Sequence, residues 1–99
     1  MKIYLKSLFE FDVKEAFGNG EIDLDTDKAT LSSLLYELTG RNPSMDELLD
    51  RESGKISDEY FFTVNANEIQ TTDGQEVILN DGDEVGIGYT NIFRLWGGG

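Results

Sequence analysis

Lys2-Ile3-Tyr4-Leu5-Lys6 alternates polar and apolar residues. A period of two predicts a strand, here over 2–9, with Ile3, Leu5 and Ser7 on one face and Tyr4, Lys6 and Leu8 on the other. Phe9-Glu10-Phe11 either continues that strand or turns it, and Phe17-Gly18-Asn19-Gly20 is a turn signal. Alternation returns over 21–25 with Ile22 and Leu24 on one face. The opening is therefore an antiparallel hairpin with a long connection.

The period then changes. Leu31, Leu34, Leu35 and Leu38 fall on one helical stripe behind a capping Thr30, with Gly40 placed to end the helix in a left-handed conformation. Ser44-Met45-Asp46-Glu47 fits a capping box, and Met45, Leu48 and Leu49 suit a short second helix. The polar stretch 50–59 reads as a surface loop. Tyr60-Phe61-Phe62-Thr63-Val64-Asn65 is aromatic and β-branched, hence a strand.

Turns at 65–67 and 71–74 flank a short extended piece at Glu68-Ile69. Val77, Ile78 and Leu79 lead into the turn Asn80-Asp81-Gly82-Asp83. The next strand places Val85, Ile87 and Tyr89 on one face and the bare pair Gly86 and Gly88 on the other. Close packing of backbone, a partner surface or an irregular strand edge would each account for that bareness. The order of elements predicts an α+β fold: a mixed sheet of four to five strands, one main helix and a short second helix.

Composition narrows the chemistry. Ninety-nine residues make one domain, and 38% hydrophobic content with six Phe, four Tyr and one Trp suffices for a core. The chain has no cysteine and no histidine. That removes disulfides, zinc fingers, cysteine nucleophiles and imidazole bases, and makes a self-contained enzyme improbable. A net charge of −12 repels nucleic acid and anionic membranes and attracts a basic protein partner, or else serves solubility alone. No leader pattern opens the sequence and no apolar run has a membrane-spanning length, so a soluble, cytoplasmic protein is expected.

Several patterns fail as sites. Asp23-Leu24-Asp25-Thr26-Asp27 begins like a calcium loop but has Lys28 and Leu34 where Gly and Glu are needed. Gly86-Ile87-Gly88 lacks the third glycine and the helix of a dinucleotide fingerprint. Asp81-Gly82-Asp83-Glu84 is better explained as turn chemistry, and Asp46-Glu47 and Asp58-Glu59 as a helix start and a solvated loop.

The end of the sequence is different. Gly97-Gly98-Gly99 follows Arg94-Leu95-Trp96. Glycines bury no side chain and cost backbone entropy to order, so the run is either a frayed end or a thread for a narrow slot.

Four pieces together resemble the MoaD- and ThiS-type sulfur carriers of the β-grasp, ubiquitin-like superfamily, above all the small subunit of molybdopterin synthase. They are Lys2-Ile3-Tyr4-Leu5-Lys6, the helix at 30–40, Thr63-Val64-Asn65 with Leu79-Asn80-Asp81-Gly82-Asp83-Glu84-Val85, and Gly98-Gly99. The resemblance implies a β-grasp domain over 1–93 and a flexible tail over 94–99. It also implies that the Gly99 carboxylate is the reacting group. A ubiquitin-activating-type adenylating enzyme would use ATP and Mg²⁺ to activate it, and a desulfurase- or rhodanese-type donor would convert it to a thiocarboxylate. A synthase large subunit would then receive the sulfur.

In that scheme the chain binds no cofactor or metal itself. Gly97 and Gly98 thread the partner's channel, a five-residue tail reaching about 16–18 Å when extended. Leu95 and Trp96 anchor the tail at the channel mouth, unless Trp96 folds back onto the sheet, and Arg94 either meets acidic groups on the partner or pairs with a local carboxylate. Alternative readings are a ubiquitin-like modifier, a carrier for another pathway, or a plain β-grasp interaction module. The exposed sheet face is the expected partner surface.

Overall fold

The computed structural model describes residues 1–8, 11–26, 28–50, 52–53, 55–57, 59–69 and 77–89. Along the chain run β1 (Lys2–Ser7), α1 (Val13–Phe17), β2 (Glu21–Asp23), β3 (Ala29–Thr30) and α2 (Leu31–Arg41). A tight 3-10 turn (Pro43–Leu48) follows, then β4 (Tyr60–Val64), β5 (Asn67–Ile69), β6 (Ile78–Leu79) and β7 (Glu84–Tyr89).

The alternation in the sequence becomes a two-faced sheet of order β2-β1-β7-β4-β5. β1 pairs antiparallel with β2 (Ile3↔Ile22) and parallel with β7 (Leu5↔Val85). β4 lies antiparallel to β7 (Phe62↔Ile87) and to β5 (Phe62↔Ile69). Two parallel neighbours need a long crossover, and the chain between β1 and β7 provides it. Within that crossover, the α2 stripe Leu31, Leu34, Leu35 and Leu38 is wholly buried with Ile3, Val85, Ile87 and Phe62 in one core. A second ribbon pairs β3 with β6 (Ala29↔Leu79), and Leu31 N donates to Val77 O at 3.0 Å. The start of α2 is thereby tied to the segment that leads into β7. This is the β-grasp arrangement: a mixed sheet holding one long helix.

Thr30 caps α2 as expected, with Ser33 as its reciprocal partner: Ser33 N donates to Thr30 Oγ1 at 3.2 Å and Thr30 N to Ser33 Oγ at 2.8 Å. The other end departs from expectation. Gly40 lies inside the helix, which runs to Arg41 and is capped by Asn42 in an extended conformation. Pro43 is the cause, since its ring disfavours helical geometry in the residue before it.

The short second helix is also displaced. Residues 43–48 form the 3-10 turn, broken at Met45 (φ −101°, ψ 22°), and not the helix read at 44–49. The side chain of Ser44, offered as its cap, lies outside the described residues. The short α-helix is α1 instead. Asp12 caps it, its Oδ1 accepting from Lys14 N and Glu15 N, both at 3.1 Å. Gly18 ends it at φ 78°, the left-handed role expected of Gly40. The surface loop at 50–59 is corrected at one position: Ile56 is buried and bridges Leu49.

Candidate functional site

The residues assigned from sequence to the reacting tail are Arg94, Leu95, Trp96, Gly97, Gly98 and Gly99. All of them, and the boundary between domain and tail, lie outside the described residues. The structure does describe the strand that leads to them, β7, and what surrounds each of its ends.

At its amino end β7 is held by a polar latch built from the Asn80–Asp83 turn. Lys2 N donates to Asp81 Oδ1 at 2.6 Å, Gly82 N to Lys2 O at 2.7 Å and Tyr4 N to Asp83 O at 2.9 Å. Asp83 accepts from Asn80 N at 2.9 Å and from Asn65 Nδ2 at 3.0 Å. Asn65 in turn accepts from Glu84 N through its Oδ1 at 3.0 Å. Gly82, at φ 88°, allows the chain to reverse there. The two aspartates of the Asp-Gly-Asp motif thus bind β1, the turn itself and the β4–β5 hairpin to the start of β7.

At its carboxyl end β7 finishes among aromatic rings. Tyr89 sits 5.3 Å from Phe11 and 5.4 Å from Tyr60, centroid to centroid. Phe11 also meets Tyr60 at 6.0 Å, edge to face, and Phe17 at 6.1 Å. Beside this cluster opens a cavity of about 270 Å³ lined by Phe11, Tyr89, Ala16 and Met45. Asp12, Glu15 and Asn42 supply its polar wall. α1 is what brings Phe11, Asp12 and Glu15 here. Sequence reading missed that helix, although Asp12 as a cap and Gly18 as a stop were both visible in it.

The strand register assigns the open face of the sheet, which the sequence could not. Pairing sets Lys2, Tyr4 and Lys6 of β1 beside Glu84, Gly86 and Gly88 of β7, with Phe61 and Thr63 of β4 beyond them. Tyr4 is exposed, Phe61 and Leu8 are half-buried, and Lys2 pairs with Glu21 at 3.8 Å. Of the three accounts of the bare glycine pair, close packing is the one observed. A Cβ at Gly86 would fall 2.3 Å from Thr63 Oγ1 and 2.6 Å from Leu8 Cδ1. One at Gly88 would fall 2.8 Å from Leu8 Cβ and Leu8 O. Leu8 N also donates to Ile87 O at 2.9 Å. Leu8, at the exit of β1, therefore packs onto the glycine face of β7, and only glycines leave room for it.

Among the described residues there is no group of three or more acidic side chains placed to hold a metal ion, and no helix long and apolar enough to cross a membrane. The Asp50 carboxyl, just after the 3-10 turn, is held below its usual range by the Ser53 hydroxyl and the Glu52 N–H. It takes no part in either end of β7.

No family model matches this sequence, and no curated protein matches it. Solved structures do. The Haloferax volcanii HVO 2177 protein is 25% identical with a TM-score of 0.69, over 90% of this chain and 82% of that one. Small archaeal modifier protein 1 of Methanosarcina acetivorans is 24% identical with a TM-score of 0.64, over 89% and 91%. A candidate molybdopterin converting factor, subunit 1, of Pyrococcus furiosus is 23% identical with a TM-score of 0.59, over 89% and 95%. These likenesses establish the β-grasp, ubiquitin-like fold.

Proposed function

We propose that this chain is a sulfur carrier of ubiquitin-like fold, a substrate-like protein and not an enzyme, with Gly99 as the reacting carboxyl end. A carboxylate is a poor electrophile, so a partner adenylates it: the Gly99 oxygen attacks the α-phosphorus of ATP and pyrophosphate leaves. Hydrosulfide then displaces AMP to give the thiocarboxylate directly. A persulfide donor instead displaces AMP to give an acyl disulfide, which a second thiol of the donor cleaves, releasing the thiocarboxylate and leaving the donor as a disulfide. The acceptor we favour is a pterin precursor held by a molybdopterin-type synthase large subunit. The observation that carries this reading is the position of β7. The central strand of a β-grasp sheet immediately precedes, in the sequence, the ten residues that contain Gly97-Gly98-Gly99.

A second reading is favoured by the likeness to small archaeal modifier protein 1. In it, the activated Gly99 is passed to lysine side chains as an amide.

The test is the intact mass of the chain isolated under reductant from its own cells. One oxygen replaced by one sulfur at Gly99 supports the carrier, and an amide link to other proteins supports the modifier. Threading through a slot is tested separately: Gly98→Val slows adenylation, read as ATP–pyrophosphate exchange, at least about tenfold, because a β-branched side chain widens the backbone where it enters. An unchanged rate removes the slot from the argument.

A further inference from the structure

The cavity at the carboxyl end of β7 has a chemistry that neither the fold nor the sulfur chemistry demands. At about 270 Å³ it is smaller than the roughly 300–1,000 Å³ of metabolite sites and of a size for one or two side chains. Its apolar lining is aromatic and sulfur-bearing, from Phe11, Tyr89 and Met45. Its charged lining is wholly acidic, from Asp12 and Glu15.

Among the described residues, the nearby cations point elsewhere. Lys14 runs toward Gly20, its Cε 3.7 Å from where a Cβ on that glycine would sit. Arg41 lines a separate hollow with Leu38 and Glu21. Glu15 enters no ion pair among the described residues. Asp12 spends Oδ1 on the two N–H groups of α1, and its Oδ2 accepts no hydrogen bond from them.

We propose that this cavity is an anchor pocket for an arginine side chain of a protein partner. A guanidinium is planar and weakly hydrated. It stacks on aromatic rings and meets a carboxylate with two parallel N–H bonds, so both kinds of wall are used at once. A lysine ammonium would use the carboxylates but stack less well. An apolar side chain would strip water from two carboxylates without replacing it. The net charge of −12 steers a basic surface toward the chain, and the pocket gives that surface a fixed point at the carboxyl end of β7. The inference rests on the carrier reading only for why a partner approaches this end.

The experiment is an amide NMR titration of the full chain with N-acetyl-arginine-N-methylamide, with the norleucine analogue as the uncharged control. The expected result is a saturable shift at Phe11, Glu15, Ala16, Met45 and Tyr89 with the arginine probe alone. Glu15→Gln weakens it about tenfold, the scale of one charge-assisted bond. Asp12→Asn, which keeps the helix cap, weakens it too, so a folding defect in one variant does not decide the outcome. An equal response to norleucine, or no effect of Glu15→Gln, overturns the proposal. So does an Arg94→Gln chain in which the same resonances move without any ligand, because the occupant is then the chain's own tail. A chain that never carries a thiocarboxylate sinks the carrier reading and leaves this titration untouched.

Discussion

The two ends of β7 are built by different physics. The amino end is a network of directional bonds, in which Asp81, Asp83 and Asn65 spend their side chains on the backbone of β1, of the turn and of β7 itself. The carboxyl end is ring packing around Phe11, Tyr60 and Tyr89, beside an open cavity. Directional bonds fix register, because a slip of one residue loses all of them and turns every side chain to the other face. Ring packing fixes position without consuming polar groups, so the Glu15 carboxylate and the Oδ2 of Asp12, whose Oδ1 caps α1, remain available to something else. One end specifies the fold, and the other presents a surface.

The comparison breaks most severely at Phe11. The ring is buried and contacts Phe17, Tyr60 and Tyr89. Phe11→Ala should cost about 3–5 kcal/mol, as large-to-small changes in a core do. Urea unfolding measures it, and a loss below about 1 kcal/mol would mean the cluster closes over the gap.

Gly88→Ala comes next, at about 2 kcal/mol. Its methyl meets the backbone of Leu8, with the carbonyl carbon at 2.9 Å, and backbone yields less readily than a side-chain tip. Thermal unfolding of Gly88→Ala against the parent checks this.

Asp83→Ala ranks third, at about 1–2 kcal/mol, since the carboxylate is only half-buried and water can replace part of what is lost. The comparison adds a sharper requirement. Amide exchange should quicken at Glu84 and Asn80 while the amides around Tyr89 keep their protection. Uniform quickening would show that the two ends open as one unit.

How far the sequence revealed these two ends follows from the same difference. The amino end was legible because an Asn-Asp-Gly-Asp run has few conformations, and the stripes at 31–38 and 85–89 announced their buried faces. What it could not reveal was which backbone groups the aspartates reach, since Lys2 and Asn65 are distant in sequence. At the carboxyl end, Phe9-Glu10-Phe11 looked as much like strand as turn, and five helical residues are too few to show a period. Pro43 was also visible, yet Gly40 was given the helix end because a glycine stop and a proline stop compete within three positions. The bare face made by Gly86 and Gly88 is visible in the sequence, but only the position of Leu8 explains it.

The smallest effect runs the other way and belongs to the amino end. Asn65 and Ala66 join β4 to β5 with φ of 51° and 70°, the pair of positive values that a tight hairpin of this hand requires. Asparagine tolerates that region, and its side chain is already committed to Asp83 and Glu84. Alanine gains nothing there and bears the clash of its Cβ with the following carbonyl, about 1–2 kcal/mol. Ala66→Gly removes the clash but gives the unfolded chain more freedom to lose, about 0.5–1 kcal/mol. The balance is a gain of about 0.5–1 kcal/mol, measurable as a higher urea midpoint at constant slope. Because the turn lies at the latch, the gain should leave binding of the arginine amide at the far end of β7 unchanged. A chain that becomes more stable and also binds the probe differently would show that the hairpin and the cavity are coupled through β4, and that the division of labour along β7 is less complete than its bonding pattern implies.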